Sequence, residues 1–248
     1  MNHDWLKPDW PAPANVKAFI TTRNGGVSTG PHASFNLGLR ADDDPHAVEQ
    51  NRALLRRHLP QAPKWLRQVH GTRVVDADTN DPTAESPDAD ASVAHHAGTV
   101  CAIMIADCLP VLFTNRAGTR VAAAHAGWRG LSGGVIANTV QTLIDAGDKP
   151  ADVLAYIGPG IGPAAFEVGA DVFNAFTAND AGAATAFVAH ASGKWLADLF
   201  TLARRALARA GVSEVYGSGL CTFSDPARFY SYRRDKTTGR MAAFIWRE

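Results

Sequence analysis

The segment that most constrains the fold spans residues 99–130 and reads TVCAIMIADCLPVLFTNRAGTRVAAAHAGWRG. Its apolar runs predict two strands, the first ending at Cys108 and the second at His125. Successive side chains of a strand point to opposite faces, and both faces of the first strand are apolar as far as Asp107. We therefore expect this strand to be buried on both sides. One face carries Ala102, Met104, Ala106 and Cys108, and the other carries Cys101, Ile103, Ile105 and Asp107.

Further strands alternate with amphipathic helices along the rest of the chain. Residues 16–22 predict a strand, and a helix that begins at Asp44 or Pro45 ends at Pro60. Helices are also predicted near residues 136–144 and over 194–211. Hairpins mixed with strand–helix units favour an α+β protein with sheets in the middle and helices outside. Because no long linker interrupts the 248 residues, we expect a single domain over 1–248 with an extended N-terminal segment over 1–15.

Residues 64–78 predict another strand, which Gly71 interrupts. A glycine inside a strand is typical of a bulge or of the close approach of another group. His70 lies beside this expected bulge, so it becomes a candidate site residue.

Composition disfavours several classes of function. Lys plus Arg and Asp plus Glu are equal at 24 each, so no net charge attracts nucleic acid or a membrane surface. No apolar run reaches the ~18–20 residues of a membrane helix, and the N-terminus does not resemble a signal peptide. Three cysteines are too few for a disulfide framework, which indicates a reducing compartment. We expect a cytoplasmic protein and, without an evident coiled coil or exposed apolar helix, a monomer.

The candidate chemistry centres on His70, Cys108 and His125, which are separated by 37 and 16 residues. Wide spacing suits a catalytic zinc site, whose three ligands come from different elements and leave one position open. The same residues also allow a metal-free cysteine nucleophile with a histidine base, or an ordinary buried cysteine. Asp107 and Arg129 adjoin two of these residues and can serve as proton carrier or anion contact.

A further anion site is predicted at residues 23–31, RNGGVSTGP. Arg23 and the backbone amides of this glycine-rich turn are suited to binding an anion, although a plain hairpin or loop explains the glycines equally well.

Several long motifs resemble the bacterial YfiH family, also called the laccase-domain or polyphenol oxidase family. The similarity extends from about residue 19 to residue 246. The motifs are ITTRNGGVSTGPHASFNLG, QVHGTRVV, ADCLPVLF, AAAHAGWRG, YIGPGIG, FEVG and FYSYRRDKTTGRMAAFIW. The resemblance implies a four-layer α/β/β/α domain with mixed sheets. It also implies a metal site at the matching positions, which are His70, Cys108 and His125.

The resemblance further implies a zinc-dependent purine nucleoside phosphorylase that acts on adenosine, inosine and methylthioadenosine and also deaminates adenosine. Its partners are then purine nucleosides and phosphate. We expect Asp107 to act as the acid or base, beside catalytic Cys108 and His125. Phosphate is expected to bind among Arg23, Arg52 and Arg129.

Two alternatives stay open. One is a copper-dependent polyphenol oxidase, and the other is a hydrolase that uses Cys108 as a nucleophile on peptidoglycan precursors. A multicopper oxidase uses many histidines, often in H-x-H pairs, whereas this chain has nine scattered histidines and no such pair. A single Cu²⁺ remains compatible with two histidines and a cysteine. Met104, a conceivable axial ligand, is expected to lie about 13 Å along the strand from Cys108.

Overall fold

The computed structural model describes residues 3–79 and 85–248. The strands of this part of the chain are β1 (Val16–Ile20), β2 (Val74–Asp76), β3 (Ala91–Ala94), β4 (Cys101–Ile105), β5 (Leu109–Asn115), β6 (Val121–Ala126), β7 (Val153–Ile157), β8 (Glu167–Val168), β9 (Phe187–Ala189), β10 (Trp195–Ala197), β11 (Glu214–Gly217) and β12 (Met241–Arg247). Its helices are α1 (Pro45–Arg56), α2 (Trp128–Gly133), α3 (Val135–Asp145), α4 (Ala170–Thr177), α5 (Leu199–Arg209) and α6 (Tyr232–Asp235).

The strands form three sheets. A six-stranded mixed sheet has the order β11-β7-β5-β6-β3-β2, a three-stranded sheet has the order β1-β12-β4, and a small sheet has the order β8-β10-β9. In the six-stranded sheet β5 and β6 are antiparallel, with Pro110 opposite His125. Strands β2 and β3 are parallel.

Three apolar clusters separate four layers. Leu55 and Leu59, in and just after α1, pack on the outer face of the three-stranded sheet. A second cluster fills the space between this sheet and the six-stranded sheet. A third lies between the six-stranded sheet and helices that include α3 and α5. The expected α+β domain with an α/β/β/α arrangement is thus confirmed.

The two-sided burial expected for β4 is also found. Ile103 and Ile105 face the cluster between the two large sheets, whereas Ala102 faces the cluster beneath α1. Because each face has its own apolar layer, the strand can be apolar on both sides without exposing either one.

The helix predicted from Asp44 begins with a capped first turn. The Asp44 side chain accepts a hydrogen bond from the His46 amide at 2.9 Å, and Pro45 occupies the first helical position. The helix ends at Arg56, four residues before Pro60. In the region predicted as one helix over 194–211, residues 195–197 instead form β10, and α5 begins at Leu199 after an Asp198 cap.

Two strand predictions need correction. The strand expected to run to Cys108 ends at Ile105, and the chain then enters β5, which belongs to a different sheet. Asp107 makes this change of direction with a φ of 92°. The strand expected over 64–78 is reduced to β2 and to single bridges at Lys64 and Arg67, because the chain turns away at His70, whose φ is 59°.

Among the described residues, no helix combines the length and apolar character needed to cross a bilayer. Near the N-terminus, Leu6 exchanges two backbone hydrogen bonds with Ile20 at 2.9 and 2.8 Å, so the segment before β1 lies along that strand.

The aromatic packing beneath α1 leads to a stability prediction. Phe244 is fully buried and contacts the rings of Phe19 and Trp65 at centroid distances of 5.1 and 5.8 Å. Replacing Phe244 by Ala leaves a cavity, so we expect the free energy of unfolding to fall by about 3–5 kcal/mol in urea denaturation. Val188→Ala is the control, since Val188 is 65% exposed and its truncation should change stability by less than about 0.5 kcal/mol. An equal loss in both variants would contradict the assigned core.

Candidate metal centre

The structure brings His70, Cys108 and His125 together. One potential ligand atom from each lies within 4.8 Å of the other two, and Cys108 Sγ is 4.0 Å from His70 Nε2. Cys108 immediately precedes β5 and His125 lies near the end of β6. Since these strands are antiparallel neighbours, the start of one lies beside the end of the other. His70 reaches the same point from the loop before β2.

A buried carboxylate, Asp90, positions two of the three side chains. Its oxygens accept the amide hydrogens of Val69, His70 and Gly71 at 3.1, 3.0 and 2.7 Å. They also accept a hydrogen bond from Nδ1 of His125 at 2.8 Å. This bond places the proton of neutral His125 on Nδ1 and leaves Nε2 free to bind a metal.

The close approach of the three side chains requires a glycine at position 127. A Cβ added there would lie 2.7 Å from Cys108 Sγ and 3.1 Å from a ring carbon of His70. Any larger residue would therefore displace both candidate ligands. This explains why a glycine follows β6 directly.

Cys108 and His125 shift each other's ionisation. Burial raises the pKa of the Cys108 thiol, but the charge of His125 and hydrogen bonds from both histidines outweigh burial and lower the net pKa. Burial lowers the pKa of His125, but the Cys108 charge and Asp90 raise it by more. These opposite shifts favour a thiolate beside a protonated imidazole. A metal ion that displaced the His125 proton would bind a cysteine sulfur that is already deprotonated.

The donor set therefore fits a metal ion. Two imidazoles and a thiolate are ligands for zinc or copper, and three ligands from separate segments leave a further position open. His70 is exposed and Cys108 is half-buried, so an ion held by these residues would be accessible from outside the protein.

A cleft of about 700 Å³ adjoins the three side chains. One part of its wall is aromatic and another is cationic. The aromatic residues are Trp65, Trp128, Phe166 and Tyr232. The cationic residues are Arg40, Arg52, Arg67, Arg129, Arg233 and Arg240.

Two of the three arginines expected to bind phosphate line this cleft. Arg52 lies 4.3 Å above the Trp65 ring and donates two hydrogen bonds to the Leu37 carbonyl, at 3.0 and 2.9 Å. Arg129 is exposed and lies 4.3 Å above the ring of Trp128. Among the described residues, none supplies a carboxylate that pairs with Arg129.

Arg23, the third arginine, is not part of the cleft wall. Its guanidinium donates to the carbonyls of Ala33 and Pro226, both at 3.0 Å, and lies 4.7 Å above the Tyr230 ring. It holds the glycine-rich turn against the C-terminal part of the chain. Its position gives no support to the expected phosphate contact.

Asp107 lines the cleft, but both of its carboxylate oxygens already have donors. Oδ1 accepts the Thr222 hydroxyl at 2.6 Å, and Oδ2 accepts the Arg233 amide at 2.6 Å. The Asp107 carbonyl accepts the Ile161 amide at 2.8 Å. These bonds hold the positive φ of Asp107 and so fix the direction of Cys108.

Sequence reasoning missed Asp90 and the C-terminal contribution to the cleft. Asp90 is the second aspartate of DADAS and directly precedes the small-residue strand β3, so an acidic residue at the start of a buried strand was one available signal. Tyr232, Arg233 and Arg240 belong to the motif FYSYRRDKTTGR, whose dense basic and aromatic residues were a second signal.

Comparison with known proteins adds independent information. Residues 17–248 match the model of the family described as multi-copper polyphenol oxidoreductase laccase. A purine nucleoside phosphorylase of Pseudomonas aeruginosa is 55% identical over 243 residues, which cover 98% of each chain. The Escherichia coli purine nucleoside phosphorylase YfiH is 54% identical over 243 residues, which cover 97% of this chain and 98% of the relative.

Solved structures share the fold over nearly the whole chain. A Neisseria meningitidis protein of the DUF152 family has a TM-score of 0.92 and 53% identity, with 99% of each chain covered. YlmD from Geobacillus stearothermophilus has a TM-score of 0.88 and 33% identity, with 98% of this chain and 96% of that chain covered.

The hydrogen bonds of Asp90 lead to a prediction about metal affinity. Asp90→Asn keeps the size of the side chain but places an amide group where donors now converge, so His70 and His125 lose part of their anchoring. We expect zinc affinity to fall by about 10- to 100-fold, measured by competition with a chelator of known affinity.

Asp145→Asn is the matched control, because Asp145 is an exposed residue of α3 outside the site. It should leave zinc affinity unchanged. Wild-type affinity in a folded Asp90→Asn protein would show that Asp90 does not position the ligands.

Proposed function

This chain belongs to the laccase-domain (YfiH) family, and from that membership we propose that it is a zinc-dependent purine nucleoside phosphorylase. The observation that carries the proposal is the position of the three candidate ligands beside a cleft with aromatic and arginine-rich walls. The names of the relatives from Pseudomonas aeruginosa and Escherichia coli support the same activity. We propose adenosine, inosine and methylthioadenosine as substrates, with deamination of adenosine as a second activity.

His70, Cys108 and His125 are the proposed zinc ligands. Bound zinc supplies Lewis-acid activation at its open position. Asp90 keeps His125 in the orientation that directs Nε2 to the metal. The Cys108 thiolate would partly neutralise the charge of a bound ion, and the direction of the Cys108 side chain depends on the Asp107 hydrogen bonds.

Arginines of the cleft are the proposed phosphate contacts. In phosphorolysis, phosphate attacks C1′ of the ribose while the base departs, so the site must hold an anion near the sugar. Arg129 is exposed, and guanidinium groups bind phosphate through paired hydrogen bonds. Arg52 is held by Leu37 and Trp65, so its charge is fixed in place before substrate arrives. The apolar and aromatic wall offers the surface on which a purine packs.

Asp107 is the proposed acid or base. A proton taken up by its carboxylate displaces one of its two donors. The Thr222 hydroxyl can rotate to accept instead of donating, whereas the Arg233 amide cannot. Thr222 is therefore the group that we expect to yield when Asp107 takes a proton.

Two other activities remain candidates because particular observations favour them. The lowered pKa of Cys108 and its contact with two histidines suit a metal-free nucleophile. A hydrolase that uses Cys108 on peptidoglycan precursors is therefore kept as an alternative. The two-imidazole, one-thiolate donor set also suits copper, which supports oxidation of polyphenols. Independence from any metal distinguishes the hydrolase from phosphorolysis, and a requirement for copper and oxygen distinguishes the oxidase.

The main test measures products from adenosine with and without phosphate. Zinc-loaded protein should convert adenosine and phosphate into adenine and ribose 1-phosphate, and should form inosine without phosphate. Cys108→Ala and His125→Ala each remove a metal ligand, so we expect both rates to fall by more than about 100-fold. Cys221→Ala is the control, because Cys221 is also a free thiol but lies outside the trio.

Alternative outcomes identify the alternative activities. Full turnover in strictly metal-free protein or in Cys108→Ala would rule out the proposed mechanism. Turnover that resists chelators but stops when Cys108 is alkylated indicates the hydrolase. Copper-dependent oxygen uptake with a phenol indicates the oxidase.

A second prediction tests the phosphate contact. Removing a charged hydrogen-bond donor to phosphate costs roughly tenfold or more in binding, so Arg129→Gln should raise the KM for phosphate by about tenfold. The KM for the nucleoside should change little. Arg209→Gln is the matched control, since Arg209 is exposed and lies near Asp180 outside the cleft. An unchanged KM for phosphate in Arg129→Gln would remove Arg129 from the proposed site.

A further inference from the structure

A second group of potential metal ligands lies at the opposite end of β3 from Asp90. Asp76 ends β2, Asp78 follows it, and His95 directly follows β3. Because β2 and β3 are parallel, their C-terminal ends meet at the same edge of the sheet. One potential ligand atom from each of the three residues lies within 4.8 Å of the other two. His95 lies five positions after Asp90 along the chain, a distance of about 16 Å in an extended strand.

Asp78 is a nearly buried carboxylate, one oxygen of which lacks a well-placed donor among the described residues. Its side chain is only 4% exposed. Oδ2 accepts the amides of His95 and His96 at 2.6 and 3.1 Å. Among the described residues, no donor of normal geometry reaches the buried Oδ1. Burial raises the pKa of Asp78, but hydrogen bonds from the His95 amide and the Thr99 hydroxyl lower it by more. His96 Nδ1 lies 3.7 Å from Oδ1, which is too long for a hydrogen bond.

An unpartnered carboxylate oxygen in a buried position is costly. The carboxylates of Asp76 and Asp78 are also close together. The guanidinium of Arg247 donates a hydrogen bond to the backbone carbonyl of His95 at 2.8 Å. The negative charge of the two carboxylates also affects the buried Cys101. Burial is the main reason that the pKa of Cys101 is raised to about 12, and the charges of Asp78 and Asp76 contribute to this rise. A bound cation would satisfy both the oxygen and the charge.

We propose that Asp76, Asp78 and His95 form a second metal site that takes a divalent first-row transition cation, with water in the remaining positions. Two carboxylates and an imidazole suit such an ion better than calcium, which prefers oxygen ligands alone. Bonds of about 2.1 Å span ligand atoms up to about 4.2 Å apart, so the observed spacing closes with a shift of a few tenths of an ångström. The His96 imidazole is placed to become a fourth ligand. The ion joins the ends of β2 and β3, which is a structural role distinct from catalysis.

The test uses Mn²⁺ and protein whose first site already holds zinc. Electron paramagnetic resonance measures free Mn²⁺ during the titration. We expect one Mn²⁺ per chain at sub-millimolar concentration, and a rise in Tm on binding. Asp78→Asn and His95→Gln should each raise the Kd for Mn²⁺ by about 10- to 100-fold. Asp145→Asn removes one exposed carboxylate elsewhere and should leave the Kd unchanged.

Three results would overturn the proposal. These are the absence of Mn²⁺ binding below millimolar concentration, wild-type affinity in Asp78→Asn, and competition by Ca²⁺ as strong as that by Zn²⁺. If Asp78→Asn does not fold by circular dichroism, Asp76→Asn carries the same test, because Asp76 is exposed and its replacement leaves the buried carboxylate in place. Wild-type affinity in a folded Asp76→Asn protein would equally overturn the site.

Discussion

The carboxylate of Asp90 is the interaction on which the candidate metal centre depends most. It is fully buried and receives three consecutive backbone amides from the loop before β2 and the imidazole of His125 from β6. A buried charge of this kind is stable only when its donors are all in place, so the loop and the strand are fixed relative to each other. The same bonds hold His70 at a positive φ that a free loop would leave. One residue thereby sets the direction of two candidate ligands.

Cys108 is positioned by a different device, the passage of the chain from one sheet to the other. Strand β4 belongs to the three-stranded sheet and β5 to the six-stranded sheet, so the residues between them cross the interior. Asp107 fixes this crossing through Thr222 and Arg233, which lie in the C-terminal part of the chain. The hydrogen bonds that orient Cys108 therefore also bring the segment with Tyr232 and Arg240 to the cleft. Metal ligands and cleft wall are parts of one hydrogen-bonded arrangement.

Much of the fold could be predicted because strand alternation records burial directly. The two apolar faces of β4 required a layer on each side, and small residues in β6 marked a closely packed strand ending at His125. The break between β4 and β5 could not be predicted, because residues 106–108 continue the alternating pattern. An aspartate in such a pattern does not by itself indicate a positive φ. His70 was found for a partly wrong reason, because the expected bulge is a loop held by Asp90. Sequence spacing also does not show which side of a sheet an arginine reaches, so Arg52 and Arg129 reach the cleft but Arg23 does not.

The chemistry of the cleft bears on the two activities suggested by the family description and by the names of the relatives. Within residues 3–79 and 85–248, one group combines a thiolate donor with two imidazoles, which provides for a single ion of the kind that polarises a substrate. Oxidation of phenols by a cluster of coppers needs several such groups in contact. The arginines of the cleft wall provide positive charge that a neutral phenol does not use, whereas phosphate requires it. Because phosphorolysis of a nucleoside needs a bound phosphate anion, the arginines of the cleft wall favour that reaction over oxidation of a phenol.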